Sequence, residues 1–391
     1  MNEANSPALY KIVSAQIQSA AESRITFAEY MELALYHEDY GYYSSGKVGI
    51  GSEGDFFTAV SLGADFGELL GIQLVEIWHK LGCPQPFHVV EMGAGNGDLA
   101  FDILGFLMTQ ATDFIEATEY IIIEKSPKLI ARQQQRLADY TGTEDHIKIT
   151  WQDWSQIHSN SITGCFISNE LLDAFPVHRV IKQDKLQELY LSLDNGKLTE
   201  KAGKLSTNAI AEYFELIQVD LNSSEYPESY TTEVNLAALD WLATVHSKLQ
   251  QGYIITIDYG YDATKYYYPR RNEGTLQCYY QHRRHNNPYV NLGEQDITSH
   301  VNFTALENYG VQHELETVGF LKQGLFLMAL GLGDRLQELS SGKFNMMQIM
   351  QRRDALHQLI DPMGLGGFGV LVQGKGLDAS QKTLKGLTIP T

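Results

Sequence analysis

The chain has 391 residues, 43% of them hydrophobic and 20% charged, and its 29 Lys+Arg against 48 Asp+Glu give a formal net charge of −19. That length predicts two domains or one elaborated domain with a large core. So acidic a balance argues against gripping nucleic acid by phosphate neutralisation and against a polybasic membrane anchor.

The first 80 residues read as helices, over 8–21, 26–35 with Thr26 as N-cap, and 61–81. Between the last two lies a glycine-rich stretch, Gly41-Tyr42-Tyr43 through Gly54-Asp55-Phe56-Phe57-Thr58, expected to be an ordered loop. From Phe87 the texture changes. The apolar run His88–Met92 leads into Gly93-Ala94-Gly95-Asn96-Gly97, and a helical pattern follows from Asp98 to Thr109. Tyr120–Glu124 reads as a second buried strand, and Ser126-Pro127 as a cap and first helical position for a helix reaching Tyr140. Residues 147–151, 164–168 and 253–258 supply three more short apolar runs. Strands alternating with helices predict an α/β fold, a parallel sheet with helices on both faces. Residues 186–193 and 197–202 flank Asp194-Asn195-Gly196, a hairpin signature. A helix over 305–309, a strand over 311–318, two helical stretches within 322–359 and a late strand at 367–373 complete the pattern. The expected organisation is an N-terminal helical or cap region (1–84), a core formed by 85–182 and 233–375 with a helical insertion at about 322–360, an inserted hairpin segment (183–232) and a C-terminal tail (376–391).

Cys83, Cys165 and Cys278 lie far apart with no CxxC, which argues against a disulfide framework or zinc site and for a reducing compartment. No metal is expected. The N-terminus has neither a signal-peptide nor a presequence pattern, and the apolar run 320–332 is interrupted by Lys322, Gln323 and Gly324. The expectation is a soluble cytoplasmic protein without a membrane segment.

Glycines directly after a strand let the backbone turn tightly and approach a ligand, while the next helix offers its N-terminus. The dinucleotide fingerprint G-x-G-x-x-G requires glycine at position 98, which is Asp98 here. A carboxylate in that first turn suits a pyrophosphate poorly, which disfavours NAD chemistry. Glu91-x-Gly93-x-Gly95-x-Gly97 instead resembles the first motif of class I S-adenosylmethionine-dependent methyltransferases, whose cofactor carries a sulfonium and an ammonium and no phosphate. Glu124, ending the second strand, is positioned to accept ribose hydroxyls. Both cofactor classes use such an acid, so it supports nucleoside binding without choosing between them. Asp153 follows the third strand where an adenine amino group would be received, with Trp154 beside it for stacking.

With these segments, the chain resembles the MidA-type methyltransferases over most of its length. Gly41-Tyr42-Tyr43, Gly54-Asp55-Phe56-Phe57-Thr58 and Phe66-Gly67-Glu68 resemble the family's N-terminal block. Asn169-Glu170-Leu171-Leu172-Asp173-Ala174-Phe175-Pro176 resembles its block after the fourth strand. Gly293-Glu294-Gln295-Asp296-Ile297-Thr298 with His300-Val301-Asn302-Phe303-Thr304 resembles its late segment. The resemblance implies a class I (Rossmann-like) methyltransferase fold with S-adenosyl-L-methionine as cofactor. For mitochondrial members it implies arginine methylation of a complex I core subunit.

Arginine is a demanding methyl acceptor, because its guanidinium stays protonated at neutral pH. Two carboxylates clamping two of its nitrogens would leave the third more nucleophilic. Glu170 and Asp173, after the fourth strand, are the candidate pair; a helix cap and first-turn acid is the competing reading. Asn169 is expected to position a substrate nitrogen through its amide. His300 is the candidate orienter or proton relay, on the strength of its usual pKa. Asp296, Asn302 and Asp258 are weaker pocket candidates, and Phe56, Thr58, Tyr42 and Tyr43 are lid candidates. Arginines and histidines at 270–285, interleaved with tyrosines, could stack bases, but the net charge weighs against nucleic acid.

The leading expectation is methylation of an arginine in a protein substrate, a complex I-type core subunit being one candidate. A small-molecule or RNA methyltransferase and a non-catalytic assembly factor acting through 183–232 are the alternatives. Oligomeric state stays open, with a homodimer one option.

Overall fold

The computed structural model describes residues 6–45, 58–141 and 147–389. Chain packing separates two units. One comprises Phe57–Leu171, Ala243–Tyr259 and Gly310–Thr391; the other comprises Met1–Phe56, Leu172–Leu242 and Gly260–Tyr309.

The first unit is built on a seven-stranded sheet. Its order across the sheet is Glu316–Lys322, Gly369–Lys375, Leu249–Asp258, Ile162–Asn169, Phe87–Met92, Thr118–Ile123 and Lys148–Gln152. The last five run parallel, and Gly369–Lys375 is antiparallel to both neighbours. From Phe87–Met92 the chain steps outward first one way and then the other. Parallel crossovers are right-handed as a rule, so stepping both ways is the arrangement that lays helices on both faces of a sheet. Strands covered on two faces need unbroken apolar runs, as in Tyr120-Ile121-Ile122-Ile123, all buried. Helices Asp65–Lys80 and Asp98–Gln110 bring Phe66, Leu70, Leu74, Ile103 and Leu107 to the same core.

In the second unit, Leu186–Asp194 pairs antiparallel with Arg24–Thr26, His178–Lys182 and Lys197–Gly203. The hairpin forms as expected, with Asn195 (φ 48°) and Gly196 (φ 72°) in the left-handed conformation that a two-residue turn requires. His178–Lys182 pairs on with Thr231–Val234. A smaller sheet holds Gln277–Tyr280 between Arg283–His285 and Asp296–Thr298. Helices Pro7–Ser19 and Phe27–Tyr36 bury Leu9, Val13, Ile17, Phe27 and Tyr30 with Leu191 and Ile297.

Local signals place several helix starts. Thr26 and Glu29 form a reciprocal capping box, and Ser126 caps a helix whose first residue is Pro127. Three expectations are corrected. The N-terminal region is not purely helical, since Arg24–Thr26 is a strand. The strand expected at 311–318 forms later, as Glu316–Lys322, because helix Phe303–Gln312 runs through Gly310. Residues 322–359 carry three helices rather than two, since Gly331 (φ 116°) ends Gln323–Leu330 and starts Leu332–Glu338, before Met346–Ile360. No helix among the described residues is long and apolar enough to cross a membrane.

Candidate functional site

Four strand ends of the first unit lie in register. Met92 pairs with Ile123 and Ser168, and Ile123 with Gln152, so Gly93, Glu124, Asp153 and Asn169 follow in one row along the carboxyl edge. At normal strand spacing the row spans about 14 Å. Ligands of open α/β sheets bind outside this edge, where the strand order reverses.

The glycine loop begins the row. Gly93, Gly95 and Gly97 have φ of 78°, 54° and 89°, a backbone that side chains adopt only under strain. A Cβ on Gly93 would come within 2.9 Å of Leu171 Cδ1. The Gly97 N–H donates to the Ala94 carbonyl at 2.7 Å, closing the turn before helix Asp98–Gln110. Asp98 in its first turn accepts from Arg136 Nε at 2.7 Å.

Glu91 lies behind the loop, 2% exposed, and accepts the Tyr120 hydroxyl at 2.6 Å. Burial pushes its carboxyl up to about 7; Asp98 adds to the rise and the Tyr120 hydrogen bond opposes it. Glu124 is half-buried at the end of Thr118–Ile123. Its Oε1 accepts the backbone N–H groups of Lys125 (2.8 Å) and Ser126 (2.9 Å), and its Oε2 accepts Gln133 Nε2 at 3.2 Å. Asp153 is exposed, and its Oδ1 accepts the Ser155 N–H at 2.7 Å and the Ser155 hydroxyl at 2.5 Å, bonds that hold its carboxyl below the usual range. Trp154 stacks on Phe166 at 6.2 Å. Positive-φ glycines, a close backbone approach and a row of fixed carboxylates fit a phosphate-free, cationic nucleoside cofactor.

Asn169 and Glu170 close the row. The Glu170 N–H donates to the Ile257 carbonyl at 2.9 Å, and its φ is 51°, left-handed for a residue with a side chain. Asn169 Nδ2 donates to Glu170 Oε1 at 3.3 Å. This leaves Asn169 Oδ1 buried without a hydrogen-bond partner among the described residues. The competing helix-cap reading is not realised, because only a short 3-10 turn, Leu172–Ala174, follows.

Asp173 and His300 belong to the second unit. Asp173 is 5% exposed, and its carbonyl accepts the Ser299 N–H at 2.9 Å. Asp296 is buried too and accepts the Tyr43 hydroxyl at 2.8 Å. The Tyr43 phenol is pushed well up, by burial first, then by Asp296 and, more weakly, Asp173. His300 stacks on Tyr261 at 4.9 Å with the rings 10° apart. It departs from expectation: burial, then the nearby Arg271 guanidinium, pushes it down to about 4, so the ring is neutral at pH 7. Tyr42 is buried and packs against Tyr43. Gly54 to Phe57, with the lid candidate Phe56, lie outside the described residues, and Thr58 leads the turn Ala59–Leu62.

Sequence reasoning missed Tyr120, Gln133 and Trp151. Gln133, fully buried, joins the Gly95 carbonyl, Glu124 and Trp151 through one amide. A glutamine flanked by Arg132 and Gln134 on an amphipathic helix gives no signal of this.

A family model described as an S-adenosyl-L-methionine-dependent methyltransferase matches residues 69–321. The mitochondrial protein arginine methyltransferase NDUFAF7 homolog of Drosophila melanogaster is 28% identical over 387 residues, 93% of this chain and 84% of that one. Human mitochondrial protein arginine methyltransferase NDUFAF7 is 27% identical over 365 residues, 88% of this chain and 78% of that one. A superfamily member from Burkholderia thailandensis, solved with S-adenosyl-homocysteine bound, superposes with a TM-score of 0.83 at 30% identity, covering 97% of this chain and 96% of that one.

Proposed function

The chain belongs to the MidA-type family of class I S-adenosyl-L-methionine-dependent methyltransferases, and from that membership we propose that it methylates an arginine side chain of a protein substrate. The cofactor supplies an electrophilic methyl group on sulfonium. Gly93, Gly95 and Gly97 would approach it with backbone, Glu124 would receive its ribose hydroxyls, and Asp153 with Trp154 would border its adenine.

The observation that carries the acceptor is the pair Asn169 and Glu170. The Nδ2 bond to Glu170 fixes the Asn169 amide, so its orphaned Oδ1 and the Glu170 carboxylate offer two acceptors side by side. A guanidinium has five donors and no acceptor, which matches such a pair. Hydrogen bonds from two of its nitrogens to these acceptors draw positive charge there and leave the third nitrogen free to face the methyl. Glu170 supports this by its backbone, since strain of this kind collects at functional positions. In the other unit, Asp173 is proposed as a carboxylate for the substrate and His300 as a neutral ring that orients a neighbouring group, each on its own unit's geometry. The names of the Drosophila and human relatives support arginine as the acceptor. By family resemblance the substrate is proposed to be a complex I-type core subunit. The proposed compartment is the cytoplasm, where three free cysteines stay reduced; the word mitochondrial in the relatives' names describes those proteins.

The test is a methylation assay with isotope-labelled S-adenosylmethionine and a whole-protein extract, read by peptide mass spectrometry with Glu170→Ala as control. Label on arginine that disappears with Glu170→Ala supports the reading. Label confined to RNA or to small molecules overturns it.

A further inference from the structure

Gln133 sits in helix Pro127–Arg136 with its side chain fully buried, and both its amide nitrogen and its amide oxygen are hydrogen-bonded. An indole N–H is only a donor. Trp151 Nε1, 2.9 Å from Gln133 Oε1, therefore fixes which end of the amide is oxygen. The opposite end, Nε2, faces two acceptors, the Gly95 carbonyl at 2.9 Å and Glu124 Oε2 at 3.2 Å. One rigid sp2 group thus spans the glycine loop, the end of Thr118–Ile123 and the edge strand Lys148–Gln152.

The consequence falls on Glu124. Its Oε1 is occupied by the N–H groups of Lys125 and Ser126, so the capacity left for a ligand lies on Oε2, the atom that Gln133 holds. We propose that Gln133 is a positioning residue for the cofactor, fixing Glu124 Oε2 at a set distance from the Gly95 backbone so that the site selects nucleosides with intact ribose hydroxyls. Trp151 acts one step further back, by preventing the amide from turning over. Alanine or leucine at 133 would leave the Gly95 carbonyl and the Trp151 indole without their buried partner, and a glutamate would set a carboxylate against Glu124.

This inference rests on the reading of Glu124 as the ribose acceptor, and the experiment separates the two. Calorimetric titration of the full chain with S-adenosylhomocysteine and with its 2′,3′-dideoxyribose analogue gives affinity and ribose discrimination for wild type, Gln133→Met and Glu124→Gln. Gln133→Met, close in shape and without the amide, is expected to weaken S-adenosylhomocysteine about tenfold, the scale of one buried hydrogen bond to a charged group. It is also expected to lose most of the discrimination, which a merely structural role would leave intact. Glu124→Gln should lose discrimination as well. Should Gln133→Met fail to fold, Trp151→Phe frees the amide from outside and is expected to reduce discrimination in the same direction. Discrimination kept by Gln133→Met, or by Trp151→Phe in its place, but lost by Glu124→Gln overturns the positioning role alone. Discrimination kept by Glu124→Gln overturns the ribose reading, and the inference with it.

Discussion

Tyr120 donates its hydroxyl to Glu91 Oε2 at 2.6 Å, joining two neighbouring strands through a carboxylate that is 2% exposed. The bond favours the ionised form, but burial outweighs it and leaves the carboxyl near 7 against an ordinary value of 4.5. Between those values the folded chain holds a proton that the unfolded chain has released. Stability attributable to Glu91 therefore falls as pH rises from about 4.5 to about 7, then levels off. The full cost above neutrality is roughly 3 kcal/mol. Glu91→Gln is expected to be more stable than wild type at pH 8, by up to that amount, with the gap closing toward pH 5. Urea unfolding of both proteins at the two pH values measures it, and parallel pH profiles would contradict the assignment.

Gly95→Val is expected to abolish cofactor binding. A β-branched residue at φ 54° is a genuine backbone outlier, and its side chain would occupy the space the ligand approaches. Gly95→Asn separates the two effects, because asparagine tolerates the left-handed region. It should fold with nearly wild-type stability yet bind S-adenosylhomocysteine at least about tenfold more weakly, about 1.4 kcal/mol. Wild-type affinity in Gly95→Asn would mean that no ligand comes close to this backbone.

The glycine loop, Glu124 and the caps at Thr26 and Ser126 were legible because each is a local signal: a residue type whose backbone or hydrogen-bonding preference acts within a few positions. Gln133 was not legible, because its burial depends on the glycine loop and Trp151 closing over it. Arg24–Thr26 was missed for a related reason. Three residues carry no periodicity, and their partners, Tyr190 to Ser192, are remote in sequence. The depressed His300 likewise comes first from burial and then from Arg271 and, more weakly, Arg284, residues that the sequence places in a candidate base-stacking loop.

Glu170 allows strain and chemistry to be pulled apart. With φ at 51°, glycine relieves the backbone where alanine does not. Glu170→Gly is expected to be about 1 kcal/mol more stable than Glu170→Ala. Both should lower kcat by at least about a hundredfold, roughly the 3 kcal/mol at stake in a charged hydrogen bond, with affinity for S-adenosylhomocysteine unchanged. Asn169→Ala should lower kcat less, since it removes a neutral acceptor. Thermal melts and single-turnover assays check the set; turnover of Glu170→Gly within a few-fold of wild type would remove Glu170 from the acceptor site.

The protonation of His300 decides whether it can relay a proton or only orient a neighbour. Held near 4 against an ordinary 6.5, it is neutral across the physiological range, so it cannot supply a titrating limb to the rate profile between pH 6 and 8. Between pH 4 and 6.5 the unfolded chain binds a proton at this position that the folded chain does not. Stability from His300 is therefore present above about pH 6.5 and is lost as pH falls toward 4. Arg271→Met removes the cation that ranks second to burial as the cause of the shift, and it should move the His300 midpoint upward while leaving it below 6.5. Imidazole resonances followed by NMR from pH 8 to 4 in both proteins decide the matter. A wild-type midpoint near 6.5 would restore His300 as a proton relay; a midpoint near 4 leaves proton release to solvent or to the carboxylates at the strand end.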